Sequence, residues 1–557
     1  METTQEAKPQ QMSSEPKAKE LIDQYQRLKG QRSNFESYWQ SLHDYYYIEA
    51  DDINRMYSVG NELSTTVLWD STTLECADVL ASGFMNYLTP PTSKWHILRA
   101  KSPQLRENKA VSTFLEDCTE QVHYTLNRSN FYNQIIANYK GSGVYGTSAM
   151  FAEDDDEDDV RFYSLPIKNV CLVEDSRGVV KAYFIEFEYT AEQAADRWGM
   201  DALATAMREE AEKKGSDKKH PFILYIAERY RRDVNKSDKK NMPIEACWID
   251  VGNKSIIEES GYHEFPASCH RFDKRPFIPW GFSPAMKALP FARILNASAK
   301  TNLRAMMKNT DPPVAIPHGA FIQPFSANPR STNYYNKTKM DGKDIFAFGN
   351  FGNPEQGMMA VEYYANAVKS MMYHDVFLAF NSITKDMNNP EVYERISEKM
   401  SLLGPAVGRY ISEMINPTII RVLGILFRKG KLPPVPAEFM QDPTYEIDCV
   451  SQLAQAQRRS ELNALVSGLT LVGQMAQITP DVLDKVSTDK VVDEAWAIIG
   501  APARVLRDDA EVQEIRDAKA QAMQQAQMMN SIQQGANAMK TGSEIDVNLA
   551  KSQEVKK

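Results

Sequence analysis

The sequence predicts an α+β protein that is mainly helical, and three observations carry that reading. Residues 18–282 interleave helical segments with short runs of β-branched and aromatic residues, the pattern of strands set among helices. Residues 283–380 hold two apolar-periodic segments around a stretch rich in Pro, Gly, Asn and aromatics, which predicts an antiparallel helical pair with an excursion between its members. From residue 390 comes the strongest 3.6-residue periodicity: Val392, Ile396, Met400, Leu403, Val407, Ile411, Met414, Ile419, Val422 and Leu426.

Residues 1–17 are polar and lack the apolar core of a signal peptide, which predicts a disordered arm on a chain made in a cytoplasm. Ala18 to Tyr47 and Ser71 to Leu88 predict helices, the second stopped by Pro90 and Pro91. Phe131 to Lys140 predicts another, followed by a hairpin of Thr147 to Ala152 and Val160 to Leu165 with the acidic tip Glu153 to Asp159. Gly178 to Tyr189 predicts a strand, and Thr190 with Gln193 forms a capping box for a short helix ending near Gly199. Pro221 to Tyr230, Pro243 to Val251 and Ser255 to Glu264 predict a β-meander, with the Lys-rich loop Asp233 to Lys240 between its first two strands.

Ser283-Pro284 caps a predicted helix that reaches Asn309 and ends at Asp311-Pro312-Pro313. Short strand-like pieces follow at Val314 to Ile316 and Ile345 to Phe348, and a second helix is predicted from Met358 to Phe380. After the polar loop Asn381 to Asn389, Pro390 opens a long helix that Pro405 and Pro417 should kink, each removing a backbone donor. Pro433-Pro434-Val435-Pro436 closes it, Ser451 to Ile499 predicts several shorter helices, and a last helix from Asp508 grades into Ala/Gln/Met low complexity.

The 557 residues exceed one typical domain, and no uninterrupted apolar run approaches the roughly 20 residues of a membrane span. Cys76, Cys118, Cys171, Cys247, Cys269 and Cys449 are scattered without a C-x-x-C pair, which predicts buried free thiols. Counting 64 basic against 74 acidic residues gives a net charge of −10. That argues against tight nucleic-acid binding over the whole surface and leaves contacts that are local or deliberately weak.

Three stretches resemble the portal, or head-to-tail connector, proteins of short-tailed tailed phages: Ser283 to Phe291 running on to Lys308–Pro313; Glu394 to Lys399 with Leu403-Gly404-Pro405 and Asn416-Pro417; and Val491 to Pro502. They are collinear from about residue 20 to about residue 510. The resemblance implies a portal-type fold assembled as a homo-oligomeric ring, a dodecamer. Its parts would be an α+β wing (18–282), a first stem helix (283–310), a clip (311–357) and a second stem helix (358–380). A tunnel loop (381–389), a long kinked wing helix (390–430), a helical crown (431–507) and a C-terminal helix and tail (508–557), either a barrel or disordered, would follow. Double-stranded DNA would pass through the channel during packaging and ejection. Terminase, tail and adaptor proteins, capsid and scaffolding proteins would be partners, and no membrane would be. The location implied is the portal vertex of the virion, with assembly in the host bacterial cytoplasm.

Arg293, Lys300, Arg304 and Lys308 are spaced by seven, four and four, one face of the first stem helix at about 100° per residue. This stripe lines the channel, pairs with acids such as Glu362 and Asp375, or is simply a solvated face, the usual state of charge rows on helices. Lys369 on the second stem helix and Lys385 in the tunnel loop complete the DNA-channel candidates. Gly141-Ser-Gly143-Val-Tyr-Gly146 matches G-x-G-x-x-G but follows a helix and precedes a strand, so it reads as a tight turn and not as a dinucleotide site. The acidic tip reads as a solvated hairpin end more readily than as a cation site, and His263, Cys269 and His270 as a chance grouping and not a zinc site. No Walker A loop or nucleophile elbow occurs, so no catalysis, cofactor or metal is expected. The alternative to a portal is a virion adaptor or ejection protein without its own DNA channel.

Overall fold

The computed structural model describes residues 14–49, 53, 68–310 apart from 214 and 237, and residues 314–315, 334, 336, 338, 346–347, 353–383, 403–449, 452–476, 486–487, 490–492, 495–496, 507 and 511–529. The chain divides into two compact units: Met1–His96 with Cys118–Leu432 and Cys449–Leu453, and Ile97–Asp117 with Pro433–Asp448 and Ala454–Lys557.

The first unit opens with α1 (Ser14–Tyr46). Ala18, Leu21, Ile22 and Tyr25 recur at helical spacing and are buried against Cys171, Phe184, Ile223, Cys247 and Ile249 of a sheet. Farther along, Trp39 meets Trp280 edge-on, with centroids 5.0 Å apart. The helix therefore starts inside the expected disordered arm, because Lys17 is held by Glu245 and Glu259. α2 (Thr72–Leu88) ends before the Pro-Pro pair as expected.

Downstream lie β1 (His96–Ala100), α3 (Pro103–Glu107), α4 (Lys109–Arg128) and α5 (Phe131–Tyr145). Then come β2 (Thr147–Asp155), β3 (Asp159–Leu165), β4 (Val170–Glu174) and β5 (Val180–Thr190). α6 (Ala191–Trp198) carries the expected capping box, with Gln193 N donating to Thr190 Oγ1 at 3.3 Å and Thr190 N to Gln193 Oε1 at 3.0 Å. α7 (Thr205–Glu212), β6 (Lys219–Glu228), β7 (Ile244–Asp250), β8 (Ser255–Tyr262) and β9 (Ala267–Arg271) complete this stretch.

The expected meander is present and larger, since β4-β5-β6-β7-β8 form one five-stranded antiparallel sheet. The expected hairpin of β2 and β3 gains β9 as a third strand on β2.

α8 (Pro284–Thr310) and α9 (Pro354–Met371) are the two helices of the expected pair, with the two-residue strands β10 (Val314–Ala315) and β11 (Phe346–Ala347) paired between them. α9 begins before the expected Met358, because Asn353 Oδ1 caps it by accepting from Glu355 N at 3.0 Å. The second helix is also not continuous. Tyr373 takes a positive φ of 58°, and α10 (His374–Ile383) sets off anew, burying Val376 and Phe377.

The described part of the long helix consists of α11 (Gly404–Tyr410), a π turn (Ile411–Ile415) and α12 (Asn416–Arg428). Pro405 lies in the first turn of α11, where the missing N–H costs nothing, so it does not interrupt the described helix. Pro417 does perturb the ladder. It cannot donate to the carbonyl four residues back and its ring presses on that turn, and the backbone widens to a π turn immediately upstream. The run Gly404–Arg428 is long and apolar enough to cross a membrane, yet half of it is buried within the protein. Tyr410, Met414, Ile419, Val422 and Ile425 all lie within the core.

In the second unit β1 pairs with β12 (Tyr445–Cys449), and Arg99 reaches Asp448 at 3.3 Å. α13 (Ala437–Gln441) places Phe439 against Phe114, with centroids 5.6 Å apart. The segment 431–507, expected as a helical crown, thus contains a strand as well. α14 (Gln452–Ala476) is one helix of 25 residues within the stretch Ser451 to Ile499, longer than the short helices expected there, and residues 490–492 and 495–496 are helical as well.

Candidate nucleic-acid interface

Ser283 starts α8 by two bonds: its Oγ accepts from Met286 N at 3.0 Å and donates to the Val144 carbonyl at 2.6 Å. Ala285, Met286, Ala288, Leu289, Ala292 and Leu295 are buried, and from Asn296 to Thr310 no residue is. The helix is rooted in the core by its first turns and emerges from it thereafter. α9 runs antiparallel beside it: the rings of Phe291 and Tyr364 lie 6.4 Å apart, and farther out Gly357 abuts Asn302 so closely that a Cβ there would lie 2.2 Å from Asn302 Oδ1.

On this scaffold Arg293, Arg304 and Lys308 are exposed, and Lys300 is half-buried with its ammonium 5.5 Å above the Trp69 ring. Lys369, in the last turn of α9, is half-buried. Among the described ion pairs none joins Arg293, Lys300 or Arg304 to Glu362 or Asp375; Asp375 instead faces His374 Nδ1 at 3.6 Å. Lys385 lies outside the described residues. Beside the cations the pair exposes Ile294, Leu303, Met306 and Met307 on α8 and Met358, Met359 and Tyr363 on α9, more clustered apolar surface than a solvated helical pair needs.

The acidic hairpin tip is not simply solvated. Asp154 meets Lys429 at 2.7 Å, Asp159 meets Lys431 at 2.5 Å, Asp155 meets Arg161 at 2.6 Å and Glu153 meets Arg197 at 2.6 Å. Lys429 and Lys431 clamp the tip to the end of α12, and Arg197 ties it to α6. In the glycine motif Gly141 and Gly143 lie inside α5, and only Gly146, with φ 79°, makes the turn.

His263 is exposed while Cys269 and His270 are buried. His270 Nδ1 lies 2.6 Å from Ser142 Oγ, and burial pushes its pKa well below the ordinary histidine value. The ligand-type side chains that do converge, Glu245, Cys247 and Glu259, escaped sequence reading because β7 and β8 bring them together. Lys17 occupies their centre, 2.8 Å from Glu259. Burial raises the Cys247 thiol to about 12, so it is a protonated, packed thiol.

A family model described as "Bacteriophage head to tail connecting protein" matches residues 18–506. The "Portal protein" of Salmonella phage epsilon15 is 29% identical over 542 residues, covering 95% of this chain and 96% of that protein. The "Probable portal protein" of Bordetella phage BPP-1 is 28% identical over 541 residues, covering 96% of each. The family match spans most of the 557 residues, and the chain belongs to the bacteriophage head-to-tail connecting protein family.

Proposed function

We propose that this chain is a portal subunit: copies of it close into a dodecameric ring at the capsid vertex, through which double-stranded DNA enters during packaging and leaves during ejection. The observation that carries the reading is the helical pair of α8 and α9, which leaves the core after Leu295 and displays exposed apolar residues beside exposed cations. Neighbouring copies would cover Met306, Met307, Met358, Met359 and Tyr363. Arg293, Lys300, Arg304, Lys308, Lys369 and Lys385 would then form sparse basic rings in an acidic chain. Sparse rings suit sliding, because each tight phosphate contact multiplies affinity and salt dependence.

On this reading residues 18–282 form the wing, α8 and α9 the stem, 311–353 the clip, 384–389 the tunnel loop and 431–507 the crown, the clip ending earlier and the loop starting later than expected because α9 opens at Pro354 and α10 runs to Ile383. Terminase docks first, tail and adaptor proteins later, and capsid and scaffolding proteins surround the ring during assembly in the bacterial cytoplasm.

Negative-stain imaging of the purified chain tests the ring, with closed rings expected. Monomers or open fibres under assembly conditions would sink the proposal and favour a virion adaptor without a channel. Lys385→Glu is expected to leave rings intact and to reduce packaged DNA length; unchanged packaging would remove Lys385 from the channel.

A further inference from the structure

We infer that the loop between β6 and β7 is a contact for the phosphate backbone of duplex DNA, on the five-stranded sheet and distinct from the helical pair. Residues 229–240 hold Arg229, Arg231, Arg232, Lys236, Lys239 and Lys240 against Asp233 and Asp238. Six cations less two anions give a local charge of +4 in a chain whose net charge is −10. Every described residue from Tyr230 to Lys240 is exposed.

The loop's own acids are turned to internal work. Asp233 Oδ1 accepts from Asn235 N at 3.1 Å, Asp238 Oδ1 accepts from Asn241 Nδ2 at 2.5 Å, and Asn241 Oδ1 accepts from Asp233 N at 3.0 Å. These bonds fix the turns. Arg229 is also committed, donating to the Ser260 carbonyl at 2.9 Å, and Lys236 stands 3.8 Å from Asp233. Arg231, Arg232, Lys239 and Lys240 enter no ion pair among the described residues. A preorganised loop therefore displays four cations outside any ion pair among the described residues, Lys240 acting on Glu259 only through its field, so little ordering entropy opposes binding.

A regular polyanion fits this display better than an acidic protein does. Duplex DNA carries one negative charge per about 1.7 Å of axis, so adjacent guanidinium and ammonium groups find phosphates together in any register. Planar guanidinium forks match phosphate oxygens in pairs. The Tyr230 side chain, 82% exposed, offers a hydroxyl of the kind that bonds phosphates. A protein partner would need carboxylates at matching points around an apolar centre, and beyond the Tyr230 ring the exposed large apolar side chain of this loop is Val234. Apart from Glu259, which feels Arg229 and Lys240, the chain's more distant negative charge acts weakly, because fields beyond roughly 8 Å are screened at physiological ionic strength.

The inference rests on the loop and stands whether or not the chain closes into a ring. Its test is fluorescence anisotropy of a short labelled DNA duplex titrated with the full chain over a range of salt, against Arg231→Glu/Arg232→Glu and Arg231→Gln/Arg232→Gln. The charge reversal is expected to weaken binding about tenfold at low salt and to flatten the log–log salt slope by about two units. The glutamine pair should fall between, and thermal melting should not move because neither arginine supports the fold. Equal affinity and slope in all three proteins would overturn the inference. So would a loss of polyglutamate binding with duplex binding intact, which would give the loop to an acidic protein face.

Discussion

The Glu413 carboxylate receives three bonds from Arg271: Oε2 accepts the backbone N–H at 3.1 Å and Nε at 3.2 Å, and Oε1 accepts Nη2 at 2.5 Å. The Arg271 side chain is 3% exposed and also meets Glu174 and the Gly178 carbonyl. One guanidinium thus joins β9, β4, the loop after β4 and the π turn ahead of Pro417. The widened turn is held in place by this pair as well as by proline geometry.

Removing one partner of a buried ion pair leaves the other charge poorly compensated, at a cost of about 3–5 kcal/mol. Glu174 still faces Arg271, so Glu413→Ala should lose about 3 kcal/mol, read as a lower midpoint in urea unfolding. Glu413→Gln keeps an acceptor and should lose less. Equal midpoints for Glu413→Ala and the parent chain would show that Glu174 alone satisfies Arg271.

At Gly146 the φ of 79° is only half of the constraint. A Cβ there would lie 2.4 Å from the Gly281 carbonyl oxygen, and one on Gly281 would lie 2.1 Å from the Gly146 oxygen. These are backbone contacts that cannot swing aside. Gly146→Ala should therefore cost more than the roughly 1 kcal/mol of a left-handed conformation alone, about 2 kcal/mol or above. Gly141, inside α5 with Ser148 Cβ 3.9 Å from the added methyl group, is the control. Gly141→Ala should be neutral or stabilise by up to about 1 kcal/mol through helix propensity. Similar losses at both positions would refute the turn-specific account.

The contrast between these glycines shows where sequence was legible. Local chemistry was: the Thr190–Gln193 capping box and the Ser283 cap appear as read, and the β2–β3 hairpin is present with its strands extended through Asp155 and from Asp159, so that much of the expected acidic tip is paired strand. α4 was missed although Val111, Phe114, Leu115, Cys118, Val122 and Leu126, all buried, spell its helical face, a signal that was available. The break at Tyr373 left no such mark. A tyrosine with positive φ carries neither the Gly nor the Asn that announces a helix end, and burial of Phe377 against Phe84, 5.5 Å between centroids, decides it from a distance. The pairing of β1 with β12 joins segments more than three hundred residues apart, beyond any local pattern. Of the channel candidates, the common face of Arg293, Lys300, Arg304 and Lys308 was legible from spacing. The Trp69 ring over Lys300 and the cations clamping the acidic tip depend on tertiary approach.

His96 gives a pH dependence whose sign is fixed by burial. It is fully buried between Trp95, 4.5 Å away, and His123, 6.1 Å away by ring centroids. Burial first, and then the charges of His123 and Lys94, lower its pKa to about 3. The unfolded chain binds a proton at this ring below its ordinary value of about 6.5, whereas the folded chain does so only near 3. Between those values the unfolded state holds more protons, so stability rises with pH and falls on acidification by up to about 1.4 kcal/mol per pH unit from this group. His96→Leu keeps the site apolar and removes the titration. Unfolding midpoints measured from pH 7 to pH 4 should fall more steeply for the parent chain than for His96→Leu, the two slopes differing by about one proton. Coincident slopes would mean that His96 reaches solvent and protonates without unfolding.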